Sequence, residues 1–162
     1  MTAPNLALNE RPHGLSRLFT LKGLQLVLIA AGIVVSGYLT YVKATGVAMA
    51  CVQGGAFNCD RVQNSAYSEM FGIPIAYMGL ALYLVLGVII LLEQRVSLFA
   101  EYGQIMVLGL SIFGWLFSMY LVYIQFFVLE ALCPWCLAHE AIFTVFFGAT
   151  ILRYVRYQRS LE

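Results

Sequence analysis

Four cysteines in this 162-residue chain fall into two pairs. Cys133 and Cys136 form Cys-Pro-Trp-Cys at the head of a hydrophobic segment, and Cys51 and Cys59 lie in the one long polar loop. Thiols at an offset of three share one face of a helix. Pro134 suits a first helical turn, where its missing N–H costs nothing. The free N–H groups and the dipole of that turn favour a thiolate at Cys133. A low-pKa thiolate leaves and exchanges readily. A structural disulfide across so short a loop would constrain little chain, so the chemistry that fits Cys133 and Cys136 is thiol–disulfide exchange. Cys51 and Cys59 flank Val-Gln-Gly-Gly-Ala-Phe-Asn, in which Gly54 and Gly55 give freedom. Such a dithiol can face a soluble partner in one position and the membrane in another; the alternative is a static loop staple. A zinc site wants two short cysteine knuckles and only one is present, so no metal is expected.

The elements that must position these thiols are membrane spans. The chain is 62% hydrophobic and 10% charged, against about 25% charged in a soluble domain. No charge interrupts residues 23–42, 71–92 or 102–129, and a fourth apolar stretch, 132–152, is broken only by His139 and Glu140. Crossing the hydrocarbon core takes about 20 apolar residues. The expected fold is therefore an all-α membrane protein, a four-helix transmembrane bundle, rather than a soluble helical bundle. Arg11, Arg17, Lys22, Arg95, Arg153, Arg156 and Arg159 all fall on one side of it, with Lys43 and Arg61 on the other. By the positive-inside rule the first side is cytoplasmic. Both termini are then inside, and all four cysteines are outside, where disulfides persist. Residues 1–20 read as a cytoplasmic tail, 21–157 as the four-helix domain and 158–162 as a second short tail. No basic stripe points to nucleic acid.

Two dithiols on the oxidising side, one beside lipid, suit a relay from a soluble protein thiol to a lipid-soluble acceptor. His139 and Glu140 stand within about a turn of Cys136, and ionisable residues inside a span are costly and often functional. Glu140 could donate a hydrogen bond or a proton to that acceptor, or could serve packing alone.

From Ser36 to Ala141 the chain resembles the vitamin K epoxide reductase family in its bacterial form. The resemblance rests on Tyr38-Leu-Thr-Tyr-Val-Lys43, the pair Cys51 and Cys59, then Arg61, Val62 and Ser65, Gly72-Ile-Pro-Ile-Ala-Tyr-Met-Gly79, and Cys133-Pro-Trp-Cys136. In the other quinone-linked disulfide oxidase family, DsbB, the CxxC pair comes in the first external loop; here it comes last. The resemblance implies that Cys133 and Cys136 are the active-site pair, with Cys136 facing a quinone of ubiquinone or menaquinone (vitamin K) type. It further implies that Cys133 exchanges with Cys59, that Cys51 reacts with an exported thioredoxin-like, DsbA-type protein, and that Ser65 lies near the quinone head. Two positions depart from the animal members: Glu140 replaces a tyrosine, and Ile75 falls where they carry an asparagine.

The expected function is a quinone-dependent thiol oxidase of the inner or plasma membrane that supports disulfide formation in exported proteins. The alternatives are a quinone or quinone-epoxide reductase working for its hydroquinone product, and a non-enzymatic membrane protein with structural disulfides.

Overall fold

A computed structural model describes residues 13–51 and 54–159. Its long helices are α1 (His13–Thr45), α3 (Ile75–Leu92), α4 (Ser97–Tyr123) and α5 (Pro134–Arg159), with a five-residue helix α2 (Cys59–Gln63) in the loop after α1. The stretches Thr20–Thr45, Ile75–Leu92, Glu101–Val128 and Pro134–Arg159 are each long and apolar enough to cross a membrane. All four expected spans are present. α1 starts at His13, inside the stretch read as a tail, because neither proline nor glycine interrupts residues 15–22. Residues 1–12 and 160–162 of the two expected tails lie outside the described residues.

The helices run up and down in the ring order α1–α3–α4–α5, with α1 and α4 each packed on α3 and α5. Val27, Val34 and Phe113 point outward and are at least 66% exposed, as suits helices whose solvent is lipid. Inside, Tyr83, Leu86 and Ile90 of α3 meet Phe143 and Phe146 of α5, Ile29 of α1 and Val107 of α4. The wholly buried Tyr83 ring lies against Gly32 of α1, where a Cβ would sit 2.2 Å from a ring carbon. Glycine is thus what lets α1 and α3 approach.

At the end of the bundle away from the cysteines the interior is polar. Gln25 of α1 donates to Thr150 Oγ1 (2.9 Å) and accepts from Arg153 Nη1 (3.1 Å). Arg153 also pairs with Glu93, the residue that ends α3, and Lys22 reaches the same carboxylate at 3.8 Å. These contacts tie three helices together.

At the other end, the loop after α1 carries α2, a 3-10 turn (Ala66–Ser68) and a two-stranded hairpin, β1 (Glu69–Met70) with β2 (Ile73–Pro74), in antiparallel register Met70↔Ile73. Asn58 caps α2, its Oδ1 accepting from the Arg61 N–H at 2.9 Å, which satisfies one of the free donors of a helix start.

Gly32→Ala tests the close packing. Forcing a methyl into the Tyr83 ring should cost about 1–3 kcal/mol and lower the thermal unfolding midpoint in detergent. Gly37→Ala, on the same helix with nothing within 4 Å of the added Cβ, should leave it nearly unchanged.

Candidate functional site

The loop is docked by backbone pairing onto the segment that enters α5. The Leu132 N–H donates to the Ala56 carbonyl (2.8 Å) and the Asn58 N–H donates to the Leu132 carbonyl (3.1 Å). Gly54 and Phe57 exchange backbone hydrogen bonds across a tight turn, with Gly55 at φ +61°, a conformation glycine adopts without steric cost. Ala50 is held at both backbone groups. Its N–H donates to Tyr38 Oη (3.0 Å) and its carbonyl accepts from Trp135 Nε1 (2.7 Å), while the two rings pack at 4.7 Å. The tryptophan inside the CxxC motif thus grips the residue before Cys51.

This docking places Cys59 and Cys133, both wholly buried, in one apolar cluster with Leu39, Met49, Val62 and Ala131; Cys51 and Cys136 pack against it. Cys51 and Cys59 are disulfide-bonded, with Cα atoms 6.2 Å apart, whereas Cys133 and Cys136 are free thiols. The Cys136 N–H donates to Cys133 Sγ at 3.4 Å, as the first turn of α5 allows. The Cys136 side chain, by hydrogen bonding, does most to hold the Cys133 thiol down at about 7. Burial opposes it, and the backbone N–H groups of Cys136 and Trp135 add to the lowering.

The approach to α5 is shaped by the end of α4. Residues Ile124–Val128 form a π turn, closed by a bond from the Leu129 N–H to the Ile124 carbonyl at 2.9 Å. Gln125 is buried there, and its Oε1 accepts from the Cys133 N–H at 3.1 Å. π turns recur at functional sites for the kind of reason seen here: the widened turn aims a polar side chain that a regular helix would carry elsewhere.

A cavity of about 480 Å³ lies between α1, α3, α4 and α5 and is covered by α2 and the turn after it. The volume falls within the range of small-molecule sites, roughly 300–1,000 Å³. Its wall is mostly apolar, with Cys136 at the cysteine end and Gln63, Gln125, His139 and Glu140 among its polar members. Tyr83 also lines it, and its hydroxyl is buried with no hydrogen-bond partner among the described residues. Apolar walls with a few polar side chains suit a lipophilic small molecule that carries polar atoms.

The residues singled out from the sequence distribute as follows. The four cysteines gather at one end of the bundle. Ser65 lines the cavity, but its hydroxyl donates to the Val62 carbonyl at 2.8 Å. Glu140 lines the cavity and accepts a hydrogen bond from the Ser118 hydroxyl. His139 meets the edge of Tyr83, ring centroids 5.3 Å apart. Ile75 is on the wall too. The sequence reading did not pick out Gln63, Gln125, Trp135 or Tyr83. The signals were present: Gln63 stands four residues after Cys59 and so on its helical face, and Gln125 is an amide inside an otherwise apolar run.

A model of the vitamin K epoxide reductase family matches residues 24–151. LTO1 of Arabidopsis thaliana, a thiol-disulfide oxidoreductase, is 42% identical over 48 residues, a stretch covering 30% of this chain and 12% of that protein. The match thus spans a small part of the plant protein's length.

The Cys133 thiol gives a pH test. A pKa lowered to about 7 means that the thiolate is present above that pH and is lost as pH falls through it. The ultraviolet absorbance of the thiolate, which needs no access to the buried sulfur, should rise with a midpoint near pH 7 rather than at the usual thiol value of about 8.5. Cys136→Ala removes the largest lowering contribution, so the midpoint should move up.

Proposed function

Because the chain belongs to the vitamin K epoxide reductase family, we propose that it is a membrane thiol oxidase that carries electrons from an exported thioredoxin-like protein to a quinone. One observation carries the reading. A closed cysteine pair and an open one meet in a single cluster, each with one member wholly buried, and Cys136 of the open pair lines a large apolar cavity.

The steps among the cysteines follow from that placement. A dithiol of the partner attacks the Cys51–Cys59 disulfide and leaves both as thiols. The Cys59 thiolate then attacks Cys133 Sγ of a closed Cys133–Cys136 disulfide, and Cys136 departs as a thiolate. Cys51 attacks Cys59 in the mixed disulfide and releases Cys133. The net result is a closed loop pair and an open core pair, the arrangement described above. The lowered pKa of Cys133 makes it a good leaving group in the last of these exchanges. A quinone bound in the cavity, of ubiquinone or menaquinone type, would supply an acceptor for two electrons and two protons. Cys136 lies on the cavity wall, so it is the sulfur from which electrons leave the chain. Glu140, one turn deeper on α5 and held by Ser118, is positioned to hold a proton at its carboxyl group for delivery into the cavity. Ser65 and Glu140 are the candidate contacts to the quinone head. The segregation of Lys and Arg supports termini in the cytoplasm and cysteines on the oxidising side of the inner or plasma membrane.

Right-side-out membrane vesicles test the scheme. A reduced thioredoxin-like protein added outside should drive quinone reduction, and the same protein added to inverted vesicles should not. Cys136→Ala should abolish the activity; near wild-type turnover would refute the site. Cys51→Ala should cut turnover with the protein donor by about tenfold or more while sparing turnover with dithiothreitol, because a folded donor must enter through Cys51, the partly exposed member of the loop pair. Equal loss with both donors would mark Cys51–Cys59 as a static staple.

In the same assay Glu140→Gln keeps shape and hydrogen bonding but cannot transfer a proton. The expectation is a fall of about 10²-fold, the lower range for a general acid. An unchanged rate across about pH 6 to 8 would remove Glu140 from the reaction.

A further inference from the structure

The Gln63 side chain makes a contact that the cysteine scheme leaves unused. Its Nε2 donates to Cys136 Sγ at 3.6 Å, and Gln63 also lines the cavity. It is the last residue of α2, the helix that Cys59 begins. Positions four apart on a helix share a face, so one short rigid element presents Cys59 towards Cys133 and an amide donor to Cys136. The Gln63 carbonyl is pinned from α1 by Lys43 Nζ at 3.0 Å, and Lys43 pairs with Glu69 at 3.2 Å. The backbone of Gln63 is therefore held in place while its amide reaches the sulfur.

Resting on the exchange scheme above, we propose that Gln63 is a further catalytic residue, the donor that stabilises the Cys136 thiolate as it leaves. In that step a bond forms between Cys59 Sγ and Cys133 Sγ, and the Cys133–Cys136 bond breaks. The bonding pair of the broken bond stays on Cys136 Sγ, next to the Gln63 N–H. Hydrogen bonds to charged groups are stronger than neutral ones, so the contact strengthens as charge develops. The donor and the nucleophile ride on the same helix. The stabilisation of Cys136 is thus present only while the loop is docked and Cys59 is in place, and it is withdrawn when the loop lets go.

The test is the thiol–disulfide equilibrium of the core pair, which involves no quinone. The full-length protein is equilibrated with dithiothreitol buffers at about pH 8 and about pH 10, on either side of the ordinary thiol value, and the Cys133–Cys136 and Cys51–Cys59 pairs are read separately by differential alkylation and mass spectrometry. Gln63→Met keeps the length and removes the donor; it should move the core equilibrium roughly 3- to 10-fold towards the disulfide. Gln63→Glu replaces the donor with an acceptor beside the sulfur and should move it further in the same direction. The order wild type, Met, Glu is the expected result. No shift in either variant would overturn the proposal. Equal shifts in both would overturn it too, since the amide would then act only by docking the loop. A graded shift in a protein that reduces no quinone would leave Gln63 assigned and the electron acceptor wrong.

Discussion

Everything at the cysteine end depends on two backbone hydrogen bonds to one residue. Leu132 gives its N–H to Ala56 and takes the N–H of Asn58, and that short parallel pairing fixes where α2 begins. Since α2 starts at Cys59, the pairing also fixes where a buried sulfur sits relative to Cys133. Main-chain pairing specifies position without regard to side-chain identity, which suits a contact between two segments that must meet in one register. Side chains add a second tether: Trp135 and Tyr38 hold Ala50. The site is an assembly of loop on helix rather than a cleft in one element.

The bundle divides its work between its ends. Near the cysteines the interior is a cavity lined by apolar side chains with a few donors and acceptors. At the far end it is a polar knot of Gln25, Thr150, Arg153, Glu93 and Lys22. Buried polar groups are costly unless paired, so the pairs in the knot favour one mutual arrangement of α1, α3 and α5.

The four spans and the gathering of the cysteines were readable from the sequence because both rest on one-dimensional signals. Uncharged runs of about 20 residues have few other uses, and a CxxC followed by an apolar run marks a helix start. Glu140 stood out because a carboxyl inside a span demands a reason, and it does line the cavity. Gln63 and Gln125 did not stand out. An amide carries no charge to flag it, and what matters about each is a partner 73 or 8 residues away. The π turn that buries Gln125 leaves no periodicity signal, since the apolar run passes through it unbroken. Trp135 carries no charge to set it apart in a chain rich in aromatic residues, and its hydrogen bond to Ala50 spans 85 residues. Such contacts follow from the packed arrangement and not from local pattern.

The polar knot also bears on how the molecule is made. Glu93 stands 60 residues ahead of Arg153 in the chain, so a ribosome delivers the acid well before its guanidinium partner. Until α5 arrives, the ion pair left to the carboxylate at the end of α3 among the described residues is with Lys22, at 3.8 Å. The final helix therefore completes two things at once: it brings Cys133 and Cys136, and it neutralises a charge that the first three helices cannot fully satisfy. A chain that stops short of Arg153 would lack the guanidinium that ties the end of α3 to α5.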